Sequence, residues 1–369
     1  MGQDAPSKAY HRLKNNLFFF SLTFDVLLLV VFFFSGWSGR LKLWAGDVTA
    51  QPLLLNGLYF LGFALAFYVI HLPLHFYSEY MLEHQFKLSN QTLGGWLSDE
   101  VKGGVLGFCI SLVLIEVIYC LLGRFPEHWW IGAGSFWLFV TFVLAKLTPN
   151  FIIPLFYKYQ PIENLALKKR IFELFERCQT GLKDIYAIDL SRKTKKANAM
   201  LCGVGKNRRV VLSDTLLAHF NDEEIELVVA HELGHYKHRD IVKILFLSGA
   251  VTFIGFFLIH QYFRYAVGAY HLSGIDDIAF LPVVLCAFML FGIVTGPILN
   301  GYSRRIEREA DRFSIETTRK PKVFITMMQK LGEMNLADFD PSPFIEWFLC
   351  DHPPIGKRIA FALGFHDEG

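Results

Sequence analysis

The sequence has little charge for its length: only 19% of its 369 residues are Asp, Glu, Lys or Arg, while 53% are hydrophobic. Soluble globular domains carry about 25% charged residues, so this composition excludes an ordinary soluble protein. The formal net charge is only +2, and no basic stripe alternates with aromatic residues. We therefore expect no nucleic-acid partner.

Cysteines are also few. The chain has six, and no two of them form a C-x-x-C pair. This absence excludes a disulfide framework and a cysteine-ligated metal site. Internal repeats and low-complexity segments are absent as well, so the sequence does not indicate a repeat array.

Long apolar runs are what the sequence has instead, and six of them approach the roughly 20 residues of a helical membrane span. They are Leu17–Phe34, Leu53–Leu74, Val105–Leu122, Trp129–Leu147, Ile241–Phe263 and Ala279–Leu299. The shorter run Phe151–Phe156, broken by Pro154, is interpreted as a re-entrant or interfacial piece. The first block is too long for a signal peptide and lacks a small-residue cleavage site, so we expect it to remain as a span.

Basic residues predict the orientation of these spans. Lys8, Arg12 and Lys14 precede the first block, and the polar segment 158–240 is rich in Lys and Arg. The positive-inside rule then places both in the cytoplasm, which agrees with four spans between them. A seventh span would place one end of the chain on the opposite side of the membrane.

Six polar residues lie within or near the apolar blocks, where they are costly in lipid. They are Asp25, Asn56, His71, His75, Glu116 and His260. Two interpretations stay open for each: a contact between packed helices, or the lining of a wet interior.

The motif H-E-x-x-H at residues 231–235 carries the clearest chemistry. His231 and His235 are four residues apart and share one face of a helix, so both imidazoles can bind one zinc ion. Glu232 can then hold a water against the metal. Apolar residues precede the motif, Asn221 is a suitable N-cap, and acidic residues follow it in the first turn.

A third zinc ligand is predicted downstream in the segment Ser303–Asp311. Glu307 is the candidate, and Asp311, one turn later, can orient a ligating His through its other ring nitrogen. Glu309 lies about 200° from Glu307 around the helix and cannot face the same metal. An exposed face of Arg–Glu pairs is the competing interpretation, and the upstream motif favours ligation. His238 and His219 are not expected to be ligands.

Several segments together resemble the integral-membrane type I CAAX prenyl proteases, which are zinc endopeptidases. The resemblance extends over roughly residues 60–365. It is carried by Glu83–Thr92, Thr148–Lys158, Asn198–Met200, Val210–Thr215, Ser303–Asp311 and His352-Pro-Pro with Arg358.

The resemblance implies seven spans around a water-filled chamber, with one zinc ion per chain. It implies that Glu232 is the catalytic base and that His352 stabilises the oxyanion. It further implies that Asn198 and Ala199, on an edge strand, hold the peptide, and that Arg358 braces the site or binds substrate.

The sequence therefore predicts a mainly α-helical, polytopic membrane bundle with a cytoplasmic zincin-like α+β catalytic domain. We expect four regions: membrane helices in 1–157, a catalytic segment in 158–240, two membrane helices in 241–300 and a C-terminal catalytic segment in 301–369. In the second region, 164–180 predicts a helix, 184–190 a strand, and 197–203 with 209–213 a hairpin. The apolar end of the motif helix is expected to continue straight into the fifth span.

The predicted function is hydrolysis of peptide bonds near the C-terminus of a peptide or protein substrate, prenylated in the leading interpretation. A membrane-protein quality-control protease is the enzyme alternative, and a transporter or channel with an incidental motif is the alternative from another class. The lipid bilayer is the expected partner, in a bacterial inner membrane or the endoplasmic reticulum.

Overall fold

The computed structural model describes residues 4–203, 207–270 and 274–365. Within these residues the chain is mainly helical and has one small sheet, as the sequence predicts. Six helical rods in the described part are long and apolar enough to cross a membrane, which confirms the six predicted spans. The rods are Ala5–Phe34, Pro52–Gln85, Leu93–Arg124, Trp129–Phe156, Asp240–Ala269 and Ile278–Thr318.

From residue 4 to 157 the chain is mainly helical, with one isolated β-bridge between Ser89 and Thr194. In chain order its helices are α1 (Asp4–Phe34), α2 (Trp37–Val48), α3 (Pro52–Phe76), α4 (Leu82–Gln85), α5 (Leu93–Arg124), α6 (Trp129–Leu147) and α7 (Ile153–Phe156). The π-helical turns Tyr77–Met81 and Thr148–Ile152 join α3 to α4 and α6 to α7. The run Phe151–Phe156 is therefore the end of the fourth rod and is not re-entrant, because the wide turn accommodates Pro149 and the helix continues. Its interfacial position stays a prediction.

Helix α2 was not predicted, and it does not cross the bundle. Its 12 residues extend about 18 Å, well short of the hydrocarbon thickness. The Ser38 hydroxyl donates to the Ala279 carbonyl, and Lys42 pairs with Asp277 at 2.8 Å, so α2 lies beside the connection between the last two spans. Four of these rods separate the start of α1 from residue 158, so the start of α1 and residues 158–239 lie at the same end of the bundle.

The polar insertion forms a mixed sheet flanked by helices. Its elements are β1 (Tyr159–Pro161), α8 (Leu165–Arg177), β2 (Asp184–Ile188), β3 (Ala199–Cys202), β4 (Arg209–Ser213), α9 (Asp214–His219) and α10 (Asp222–Lys237). The predicted helix, strand and hairpin are all present, although the hairpin connection 204–206 lies outside the described residues. The strand order is β1-β2-β4-β3, and β3 pairs with β4 alone, so β3 is an edge strand.

The remaining elements are two long membrane helices followed by three shorter helices beside the polar insertion. They are α11 (Asp240–Ala269), α12 (Leu281–Thr318), α13 (Pro321–Met334), α14 (Pro343–Leu349) and α15 (Ile355–Leu363). Helix α12 runs without a break for 38 residues and carries Glu307 beyond its apolar part, as predicted.

The intramembrane polar residues support both interpretations. His71 contacts Asp25, and His75 lies 2.8 Å from Glu100, around a cavity of about 630 Å³. His71, His75 and Glu100 thus place polar groups in the wall of this otherwise mainly apolar cavity. The buried His260 instead accepts a hydrogen bond from the Trp129 indole at 3.2 Å, which is a contact between packed helices.

Helix α10 begins as predicted but does not continue straight into α11. The Asn221 side chain accepts the amides of Glu223 and Glu224, and the Glu224 carboxylate accepts the Asn221 amide, which forms a capping box. At its other end α10 stops at Lys237, and Arg239 takes a left-handed conformation with φ 56°. The expectation of one continuous helix is therefore wrong.

The break has a structural consequence for the next residue. In a continuous helix Asp240 would lie about 140° around the axis from His235. The change of direction instead turns Asp240 back, so that its Oδ2 lies 3.1 Å from Nδ1 of His235.

Helices α10 and α12 pack closely at Gly234. A Cβ added there would lie 3.2 Å from the Ala310 Cα and 3.2 Å from the Phe313 ring, so its neighbours would have to move by a few tenths of an ångström. Glycine therefore favours this approach, which brings the motif helix against the helix of Glu307.

We expect Gly234→Leu to lower both the melting temperature and the metal content of the purified protein. The new side chain would push α12 away, and overpacking of this kind costs about 1–3 kcal/mol. Gly107→Leu is the matched control, since it lies in α5 with no atom within 4 Å of an added Cβ. Thermal unfolding in detergent and elemental analysis measure both effects, and identical values for the two variants would contradict the packing argument.

Candidate metal centre

His231, His235 and Glu307 converge where α10 packs on α12. One ligand atom from each lies within 4.8 Å of the other two. His231 Nε2 is 3.2 Å from His235 Nε2, and the Glu307 oxygens lie 3.2 and 3.3 Å from these two nitrogens. The structure thus brings together all three residues that the sequence predicts as ligands.

The donor set fits a bound cation such as zinc, with two imidazoles and one carboxylate that leave a coordination position open. Glu307 Oε2 is buried and lies near His231, but it is not aligned for a hydrogen bond. A buried carboxylate oxygen without a hydrogen bond is costly unless a cation neutralises it. Burial lowers the pKa of His231, yet Asp311 and Glu307 outweigh burial and raise that pKa to about 9. The cluster therefore favours positive charge at its centre.

Each histidine ring is held from behind by a carboxylate. Asp240 Oδ2 forms a hydrogen bond of 3.1 Å with Nδ1 of His235, whereas Asp311 Oδ1 lies 2.9 Å from Nδ1 of His231 as an ion pair that is not aligned for a hydrogen bond. Carboxylates in these positions orient the rings and leave Nε2 of both directed at the metal position. The role of Asp311 was predicted, but Asp240 was missed. An acid at the start of the next helix, five residues after His235, was the available signal.

Arg358 is buried and engages Asp311 with two nitrogens. Its Nε donates to Oδ2 at 2.8 Å and its Nη2 donates to Oδ1 at 2.5 Å. A bidentate pair of this kind fixes the carboxylate that contacts His231. The contacts favour the bracing role for Arg358, and its direct binding of substrate stays a prediction.

Glu232 lines the cleft together with His231 and Glu307. Burial raises the pKa of Glu232, while the neighbouring His231 and His235 oppose the shift. A carboxylate with a raised pKa is a stronger base. Glu309 instead pairs with Arg305 at 3.5 Å on the exposed face of α12, so it takes no part in the cluster.

His352 reaches the cluster from the connection between α14 and α15. Its Nε2 lies 3.3 Å from Glu307, and its Nδ1 lies 2.8 Å from Asp351. The Asp351 carboxylate raises the pKa of His352. The side chain is 54% exposed, so it remains accessible from the cleft. His238 packs on the Phe313 ring instead.

The cleft has a volume of about 560 Å³ and is bordered by an edge strand and by α1. Asn198 and Ala199 line it, as predicted. Asn198 exchanges hydrogen bonds with Ser213 on β4, so in this antiparallel register the Ala199 carbonyl is directed to the free edge. His11 and Asn15 of α1 also line the cleft and were missed, although two polar residues one turn apart before an apolar run were a usable signal.

The fold and this site together define a membrane-embedded metallopeptidase. Residues 161–365 match the family model described as Peptidase family M48, and residues 5–158 match a model described as CAAX prenyl protease N-terminal, five membrane helices. The chain belongs to peptidase family M48 and is a hydrolase.

Similar proteins extend over most of the chain. An uncharacterized metalloprotease, YhfN, of Bacillus subtilis is 30% identical over 97% of this chain and 85% of its own length. CAAX prenyl protease 1 of Saccharomyces cerevisiae is 29% identical, with 81% of this chain and 70% of its own length aligned. The crystal structure of Ste24p from S. mikatae has the same fold, with a TM-score of 0.88 at 23% identity over 98% of this chain and 89% of that one.

Substitution of Asp240 tests whether it holds His235. We expect Asp240→Asn to weaken zinc binding by about 10–100-fold, because the ring of His235 loses its charged partner. Competition with a chromophoric chelator measures the affinity. Asp184→Asn is the control, since Asp184 pairs with Lys168 on the polar insertion away from the cluster. An unchanged affinity in Asp240→Asn would show that this contact does not support the metal.

Proposed function

We propose that this protein is a zinc endopeptidase that cleaves near the C-terminus of prenylated, CAAX-type substrates. One observation carries the proposal: the His231, His235 and Glu307 cluster and Glu232 open into one cleft, at one end of a membrane bundle, beside an edge strand. The name CAAX prenyl protease 1 of the yeast relative supports the substrate class.

His231, His235 and Glu307 would hold one zinc ion per chain. A zinc ion held there would supply polarisation of the scissile carbonyl and a water of lowered pKa, towards about 7. Glu232 lines the same cleft and would act as the base that takes a proton from water and returns it to the leaving amine. Asp240, Asp311 and Arg358 keep the ligand side chains in position and move no proton.

His352 is placed to stabilise negative charge on the substrate carbonyl oxygen. Its raised pKa favours the protonated ring, which is a stronger hydrogen-bond donor. Asp351 orients the ring through Nδ1, and Nε2 lies at the metal cluster, 3.3 Å from Glu307, where it can donate to a substrate oxygen.

The peptide would bind by adding a strand to β3. The free edge at Ala199 offers main-chain groups for pairing, and the exposed Asn198 amide can donate to the substrate backbone. Such pairing requires an extended peptide but no particular side chains, so the substrate's attachment to the membrane contributes to selection.

The catalytic end of the bundle would face the cytoplasm. Residues 158–240, which are rich in Lys and Arg, lie at this end together with the start of α1 and its basic residues. This distribution agrees with the positive-inside rule. A bacterial inner membrane and the endoplasmic reticulum membrane both satisfy it.

Purified protein and its Glu232→Gln variant test the proposed chemistry with a quenched farnesylated CAAX peptide. We expect about one zinc per chain in both, and a decrease of about 10²–10⁴-fold in kcat for the variant, because only the base is lost. Elemental analysis measures the zinc content, and fluorescence of the quenched peptide measures the rate of cleavage. Zinc with cleavage of unprenylated peptides alone would favour the quality-control function, and absence of zinc from both proteins would exclude the metallopeptidase mechanism.

His352→Ala tests whether His352 stabilises negative charge on the substrate carbonyl oxygen. We expect kcat to fall by about 10²–10³-fold with KM nearly unchanged, because the donor acts on charge that develops only in the transition state. Zinc content should equal that of the wild type. A variant that loses zinc instead would show that His352 supports the metal, and a rise in KM alone would assign it to substrate binding.

A further inference from the structure

A smaller cavity, of about 330 Å³, adjoins the catalytic cleft. It lies between α1, α12 and the C-terminal end of α14, and Leu349 lines both spaces. We name it the α1–α12 groove; the side chains that define it are Phe18, Leu22, Met289, Ile293, Gly296 and Phe348. Its walls are almost entirely apolar, with Asn300 at the end nearer the cleft.

Helix α1 connects the cleft to the groove along one face. His11 and Asn15 line the cleft, while Phe18 and Leu22 line the groove. Spacings of four, three and four residues keep side chains on one face of a helix. This face therefore changes from polar to apolar as it leaves the metal cluster.

Helix α12 makes the same transition on the opposite wall. Glu307 belongs to the metal cluster, and Asn300, Ile293 and Met289 follow on the same face towards the membrane interior. At 1.5 Å per residue, the groove begins about 10 Å from Glu307 and ends about 27 Å from it. The groove thus starts about 10 Å from the metal cluster, roughly the length of three extended residues.

The third wall is linked to the catalytic machinery. The Asn300 amide donates to the Phe348 carbonyl at 2.8 Å, and the Phe348 ring stacks on Phe19 with centroids 5.8 Å apart. Phe348 precedes His352 by only four residues, so one short segment forms both the groove wall and part of the site.

Two glycines of α12 border the open space of the groove. A Cβ added at Gly292 or Gly296 would meet no atom within 4 Å. Both glycines lie inside α12, where glycine costs about 1 kcal/mol relative to alanine. A side chain at either position would start in open space at the wall of the groove.

We infer that the α1–α12 groove binds the isoprenoid chain of a prenylated substrate while the peptide occupies the cleft. This inference rests on the proposed function. A prenylated peptide joins a polar backbone to a long apolar chain close to the scissile bond. Both walls likewise change from polar to apolar between the metal cluster and the start of the groove. An ordinary amino-acid side chain is too short to reach the inner end of the groove.

Gly296→Leu tests the inference in the full-length protein, with Gly107→Leu as the matched control in an open position of α5. The substrates are two quenched peptides of identical sequence, one farnesylated and one not. We expect Gly296→Leu to raise KM for the farnesylated peptide by about ten-fold or more, because an occupied pocket rejects added bulk. The kcat/KM for the unprenylated peptide should stay within about two-fold, since the cleft is unchanged. Gly292→Leu, deeper in the groove, should affect a geranylgeranylated peptide more than a farnesylated one.

The other outcomes are distinct. Equal KM values for the farnesylated peptide in Gly296→Leu and Gly107→Leu would overturn the groove as the isoprenoid site and leave the proposed function intact. Equal impairment of both peptides by Gly296→Leu would also overturn it, because the variant would then act on the cleft. A wild-type enzyme that cleaves both peptides equally well would refute the prenyl preference itself, before any variant is compared.

Discussion

The site depends on the close approach of α10 to α12. A single glycine, Gly234, allows the two backbones to meet, and from that contact His231 and His235 on one helix face Glu307 on the other. Because α12 is also the last membrane span, the same contact joins the polar insertion to the bundle. Ion pairs reinforce it, since the buried Glu226 of α10 pairs with Lys320 just beyond α12 at 3.2 Å.

Carboxylates behind the histidines make the cluster rigid before any metal binds. Asp311 is itself held by Arg358 from α15, so the position of His231 depends on residues far apart in the chain. Asp240 depends on the break after α10, where a left-handed residue reverses the chain direction. The geometry of two ligands thus follows from the tertiary structure and not from the motif helix alone.

The sequence predicted the spans, the strands of the insertion and the three ligand residues because each has a local signal: apolar length, alternation, or i, i+4 spacing. The predictions from sequence were wrong or incomplete where the path of the backbone decides the structure. Continuity of α6 through Pro149, the break at Arg239 and the short α2 all depend on a few backbone angles that composition does not report. Asp240, His11 and Asn15 were missed because their proximity to the site is created by those turns and by the packing of α1 against α12.

The unbroken course of α12 has a consequence for where the protein cuts. Glu307 lies eight residues past the predicted apolar block that ends at Leu299, about 12 Å along the same rigid helix. The depth of that block in the bilayer therefore sets the height of the metal cluster above the hydrocarbon. Under the proposed function, a substrate anchored by its prenyl chain would start from the same membrane surface. The position of cleavage would then follow from the distance to the membrane, with little need for recognition of a particular side chain.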